Sequence, residues 1–287
     1  MLRAAAVSAG AIALPLLDGR GLTATAVFAG GFYLSDDAGG MLCVLSEFRE
    51  AGPLHLNCAA WPENAGRFAR VGDKFALADG TLRSAAVSIP ITGAAVWRPR
   101  SLPAAAPTAI RAAHRAIRAA AKTSAPSRTL VAACLHPKKT DSEEISPFLL
   151  AEIQKGLLAL AERPRDAAEI LLGLGPGLTP SGDDILAGAL LALRAFAVHG
   201  RANRLAESVI PRLERTNRVS AAHLLAADKG QGAAVFHELL AWAVAGGELK
   251  PFLARVDRIG HSSGWDALLG MLGALAAISG DSHAREG

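Results

Sequence analysis

Hydrophobic and polar positions change period once along the chain. Over the first hundred residues apolar positions recur mainly at every second place, the spacing of strands with one buried face. Residues 22–28 alternate Thr with apolar side chains, 41–45 form a compact apolar run, and 54–58 alternate again. Further strands are expected near 84–89 and 94–97. The pairs Gly30-Gly31 and Gly39-Gly40, and the segments around Gly72-Asp73 and Asp79-Gly80, read as turns between them. Residues 4–17 follow Arg3 as an apolar run that superficially looks like a secretory signal. Pro15 interrupts that run, no small-x-small cleavage site follows, and Asp18-Gly19 is a turn signal, so a first strand is expected instead.

Residues 98–108 are rich in Pro and Ala and read as a linker, after which the period becomes helical. Helices are expected over 110–122, 147–161, 165–172, 182–199, 203–213, 221–227, 231–245, 251–259 and 263–278. Asp141 and Ser142 are candidate caps for the second, Asp166 and Glu169 have capping-box spacing in the third, and Gly200 should stop the fourth. No internal repeat of fixed period is evident. The expected fold is α+β, a small antiparallel β domain over 1–100 followed by a larger all-α domain over 101–287.

Composition narrows the function classes. A hydrophobic fraction of 51% with 20% charged residues describes a folded globular chain. The net charge of +4 comes from scattered arginines and aromatics are 5%, which argues against nucleic acid as a partner. Arg111, Arg115, Arg118 and Lys122 share one helix face, read as solvated. No uninterrupted apolar stretch reaches the ~18 residues of a membrane span. Cys43, Cys58 and Cys134 are odd in number and lack metal-ligand spacing, as expected of reduced thiols in a cytoplasmic protein without a structural zinc site.

The chemistry concentrates in GLGPGLTPSGDD, residues 173–184. Four glycines there (Gly173, Gly175, Gly177, Gly182) let backbone N–H groups converge beside a helix N-terminus, an arrangement suited to an anion. Thr179 and Ser181 add hydroxyl donors. Gly177 to Gly182 has P-loop glycine spacing, but Asp183-Asp184 stand where Lys-Ser/Thr is required, so a nucleotide loop is excluded. Ser181 and Asp184 have capping-box spacing, which leaves Asp183 as the ligand group. A carboxylate beside an anion implies an N–H-rich substrate, or Mg²⁺ as a cofactor bridging the two. Gly260 to Gly264 is a second glycine-bounded turn at a helix start, with His261, Ser262 and Ser263 as site candidates and Asp266 three places after Ser263. Ser220 is a candidate cap, and Asn217 either contacts an anion or lies in a solvated loop.

The loop, with Gly188 early in the helix after it, resembles the hallmark of the bacterial AllH family. TNRVSAAHL (216–224) and IGHSSGWDALLGML (259–272) resemble two further segments of that family. The likeness spans most of the α domain and touches the β domain only loosely. It implies a cytoplasmic subunit of oxamate carbamoyltransferase in allantoin (purine) catabolism, working with a partner similar to acyl-CoA synthetases. The implied reaction is carbamoyl transfer between oxamate or oxalurate and phosphate or carbamoyl phosphate. On this reading Gly175 to Gly182 hold the anionic end, while Asp183 or Asp184 orients an N–H₂ group or holds Mg²⁺. Catalysis then rests on positioning and charge stabilisation, with His261 as general acid/base. The alternative is a non-catalytic assembly subunit whose loop is architectural.

Overall fold

The computed structural model describes residues 1–19, 21–102, 104–136 and 145–279. The chain divides into two compact units, Met1–Pro99 and Arg100–Gly287. In the first, ten strands among the described residues form one sheet: β1 (Leu2–Arg3), β2 (Ala5–Gly10), β3 (Leu22–Phe28), β4 (Gly31–Ser35), β5 (Met41–Ser46), β6 (His55–Ala59), β7 (Lys74–Ala78), β8 (Thr81–Arg83), β9 (Val87–Pro90) and β10 (Ala95–Trp97). Their order is β1-β9-β8-β7-β3-β4-β5-β6-β2-β10. Only Ala4 separates β1 from β2, although the two pair at opposite ends of that order. Chain continuity therefore closes the sheet into a barrel around Phe32, Leu34, Leu56, Leu82 and Ile89, all fully buried. The sheet is mixed rather than antiparallel throughout, because β1–β9, β5–β6 and β2–β10 run parallel.

Three strands escape the period-two reading for local reasons. β4 is almost wholly buried, so its residues do not alternate, and its first residue belongs to a glycine pair read as a turn. β7 and β8 flank the Asp79-Gly80 turn and are five and three residues long, too short to show a period. The strand expected over 4–17 ends at Gly10, and Leu14–Leu17 form a 3₁₀ turn with Pro15 in its first positions.

The second unit contains ten α-helices among the described residues: α1 (Pro107–Ser124), α2 (Leu130–Leu135), α3 (Pro147–Glu162), α4 (Pro164–Leu171), α5 (Ser181–Ala195), α6 (His199–Val209), α7 (Arg218–Asp228), α8 (Ala234–Ala245), α9 (Lys250–Val256) and α10 (Ser263–Ser279). None is long and apolar enough to cross a membrane. The helix expected to run to residue 199 ends at Ala195, and Ala197 turns left-handed at φ 55°. Gly200 lies inside α6 rather than stopping α5. The capping box expected at Asp166 and Glu169 does not form. Asp166 pairs with Arg163 at 2.7 Å, and Glu169 pairs with Arg212 and Arg215 at 2.9 and 2.6 Å. The caps expected at Asp141 and Ser142 lie outside the described residues.

Helices α5 and α10 form the centre of this unit, with Ile185, Leu186, Leu190, Leu268, Met271 and Leu275 fully buried. Their crossing is unusually close. A Cβ on Gly188 would lie 1.9 Å from the Ala267 carbonyl oxygen, and one on Gly270 would lie 1.8 Å from that of Ile185. The contact is reciprocal because the two helices share a pattern. SGDDILAG (181–188) and SGWDALLG (263–270) both read Ser-Gly-x-Asp-x-x-x-Gly. The chain thus carries a short internal repeat, invisible to a search for a fixed period because it occurs only twice. It gives the crossing a local two-fold symmetry.

Candidate functional site

The symmetric crossing brings the first turns of α5 and α10 together, and with them Asp184 and Asp266. The capping reading made for the start of α5 is overturned. Pro180, not Ser181, occupies the N-cap of α5 and makes no side-chain cap bond, so Ser181 is the first helical residue. The hydroxyls instead cross over. Ser263 of α10 and Thr179 of the loop are within hydrogen-bond contact of Asp184, while Ser181 of α5 bonds to Asp266 and Ser262 donates to it at 3.0 Å. Thr179 Oγ1 and Ser263 Oγ also bond to each other at 2.8 Å, one of them donating to the other.

Each carboxylate keeps one oxygen without a hydrogen-bond partner, Oδ2 of Asp184 and Oδ1 of Asp266. Both residues are at least nine-tenths buried, at 9% and 1% exposure. Burial raises the Asp184 pKa well above the usual carboxylate range, and the nearby charge of Asp266 raises it further against the pull of the two hydroxyls. Burial likewise lifts Asp266 to about 6, with Ser181 and Ser262 holding it down. Two carboxyl groups in one desolvated site cannot both ionise freely, so they titrate as a dyad and retain a proton to higher pH than ordinary aspartates.

Asp183 has a different role from the one its sequence position suggested. It is 1% exposed. Oδ1 accepts from the Gly173 N–H at 2.7 Å, and Oδ2 accepts from Ser220 Oγ at 2.7 Å and from Thr216 Oγ1. Both oxygens are thus committed to fastening the loop onto the start of α7. Ser220 is accordingly not a cap. Asn217 is the N-cap of α7, and its Oδ1 accepts from the N–H groups of Val219 and Ser220, both at 3.0 Å.

The glycine loop contributes fewer open donors than its composition promised. The Gly182 N–H donates to Leu174 O at 2.8 Å, and those of Asp183 and Asp184 turn back to Pro180 O. Gly175 stands at φ +113°, and a Cβ there would lie 3.0 Å from Ser181 N, so only glycine keeps the space before the first helical N–H open. Gly177, at φ +98°, has nothing within 4 Å of where its Cβ would be. His261 is exposed in the turn before α10, and the hydroxyls that reach the dyad from that turn and the helix start are those of Ser262 and Ser263. Thr179, Ser181, Ser262 and Ser263 are half-buried, so they form the accessible layer over the buried carboxyls.

Other chemistries find little support here. Among the described residues no group of three or more His, Cys, Asp or Glu side chains is placed to hold a metal ion. Burial pushes the thiols of Cys43, Cys58 and Cys134 up to about 12, so none is a thiolate near neutral pH.

The stretch that builds this geometry also has relatives. Residues 171–275 match the family model of the oxamate carbamoyltransferase subunit AllH. This stretch is AllH-like. The match begins at the end of α4 and runs into α10, so it spans the glycine loop, the Asp183 anchor and both halves of the dyad. No curated protein and no solved structure gives a match. Asp266, absent from the expected site residues, was legible in the shared Ser-Gly-x-Asp-x-x-x-Gly pattern. A lone Ser-x-x-Asp there reads as a helix cap, and only the pair reveals the two-fold partner.

Proposed function

We propose that the helical unit is the substrate-binding part of a carbamoyltransferase and takes a small molecule bearing both a carboxylate and an amide, of the oxamate type. The AllH-like stretch supplies the reaction class. The single observation that carries the reading is the buried Asp184–Asp266 dyad, with an unpartnered oxygen on each side and four hydroxyls over it. A buried carboxyl oxygen without a donor is costly, on the order of 1–3 kcal/mol, and such costs concentrate where a ligand or a proton later arrives.

In this mechanism the hydroxyls of Thr179, Ser181, Ser262 and Ser263 contact the substrate, and the space kept open by Gly175 receives its carboxylate at the start of α5. The amide nitrogen attacks the carbamoyl carbon of carbamoyl phosphate and phosphate leaves. The proton lost by the nitrogen passes to a hydroxyl, which hands its own proton to the ionised member of the dyad. Asp183 acts as an anchor, so the acid–base role moves from Asp183 and His261 to Asp184 and Asp266. The family name is that of a subunit, and partner chains, one of them similar to acyl-CoA synthetases, complete the reaction.

Calorimetric titration of the chain with oxamate, phosphate and Mg²⁺, singly and together, tests the proposal. Saturable oxamate binding that Ser181→Ala weakens by roughly tenfold is the expected result, the loss of one hydrogen bond. Oxamate binding that requires Mg²⁺ would make the dyad a cation site rather than a proton store. Absence of binding, with or without Mg²⁺, would favour an assembly subunit with an architectural loop.

A further inference from the structure

The barrel carries a second candidate site, independent of the dyad. β9 lies between β1 and β8, and Ser88 is in register with Arg3 on one side and Arg83 on the other. In-register neighbours on adjacent strands share a face, so Arg3, Ser88 and Arg83 form a row across the outside of the sheet. Two strand spacings put the two arginine backbones ~10 Å apart. Both arginines are exposed and Ser88 is half-buried, while Leu2, Val87 and Leu82, one residue away on each strand, face the core.

This row borders a cavity of about 620 Å³ lined by Met1, Ala5, Ala60, Ser84 and Pro90 as well as the row itself. None of its lining residues is acidic. β6 ends beside this depression, at Ala59. In the β2–β6 register Ala5 faces Ala59, and the next steps would bring the chain alongside Ala4 and then Arg3. Ala60 instead turns left-handed at φ 55°, carrying the chain away and leaving the β1 side of the seam open. A non-glycine residue held there costs about 1 kcal/mol or more, the kind of strain that persists where it shapes a site.

We propose that this seam binds a small, multiply charged oxyanion, a phosphate- or carboxylate-bearing molecule, through the Arg3 and Arg83 guanidiniums with the Ser88 hydroxyl between them. Two like charges on one row, unrelieved by any acid in the lining, are a cost that a dianion cancels. The guanidinium fork suits paired oxygens.

Inorganic pyrophosphate is the probe. Titrated into the full chain at low salt, it should bind saturably, and Arg83→Ala and Arg3→Ala should each weaken binding by roughly tenfold or more, with unchanged melting temperature. Ser181→Ala separates this site from the helical loop. Pyrophosphate affinity unchanged in Ser181→Ala supports the seam, whereas affinity lost in that variant and kept in Arg83→Ala would overturn it. Binding of an oligoglutamate peptide without binding of pyrophosphate would overturn it too, assigning the arginines to a protein partner.

Discussion

Asp183→Ala should cost the helical unit on the order of 4 kcal/mol, a large share of the 5–15 kcal/mol that holds an ordinary domain together. Removing the carboxylate strands three donors at once: the buried Ser220 hydroxyl and the half-buried Gly173 N–H and Thr216 hydroxyl. Hydroxyls can rotate to find other partners, but the Gly173 N–H cannot, so the loop backbone should lose its fixed conformation first. Asp183→Asn should be much milder. Its Oδ1 can keep the Gly173 N–H, and its amide can donate to the two hydroxyls, which then act as acceptors. Chemical denaturation of both variants checks this ordering. Equal stability of Asp183→Ala and the native chain would show that the loop is not anchored through Asp183.

The dyad should behave in the opposite sense, with Asp266→Asn stabilising the fold while slowing the proposed reaction. The Asp266 carboxyl is raised from 3.8 to about 6 chiefly by burial, so the folded state binds its proton more tightly than the unfolded state does. Its contribution to stability is complete below about pH 4 and is lost as pH rises through about 6. A shift of that size corresponds to about 3 kcal/mol at pH 8, a cost that an uncharged asparagine avoids. The melting temperature of Asp266→Asn should therefore exceed that of the native chain at pH 8 and converge with it near pH 4. Asp184 is shifted in the same direction, so Asp184→Asn should behave alike. On the proposed carbamoyl-transfer reading, either variant, assayed together with partner subunits, should transfer carbamoyl groups on the order of 10² times more slowly, the usual worth of an acid–base group. Unaltered turnover in both would sink the catalytic reading, and lower stability at pH 8 would sink the burial argument.

The contrast between these neighbouring aspartates marks where sequence reasoning succeeded and where it stopped. The α+β class was legible because its signals are periodic: alternation in β3 and β6, and helical spacing from α1 to α10. The loop stood out as a candidate site because four glycines in ten residues exceed what a turn requires. The roles inside it were not, because each depended on a contact far along the chain. Ser181 was read with Asp184, three residues away, but it bonds to Asp266. Asp183 was read as free for a ligand, but it is held from residues 216 and 220. Local spacing sees a helix start as one chain segment and cannot anticipate a second start crossing it. The glycine pair that permits the crossing, Gly188 and Gly270, was partly visible, since Gly188 was noted and its counterpart was not matched to it.

The most direct test of the dyad is vibrational. Infrared difference spectroscopy of the chain at pH 6 should show a protonated carboxyl stretch that either Asp184→Asn or Asp266→Asn removes or shifts, and that oxamate perturbs on binding. A protonated carboxyl band untouched by oxamate, or no such band at pH 6, would contradict the account.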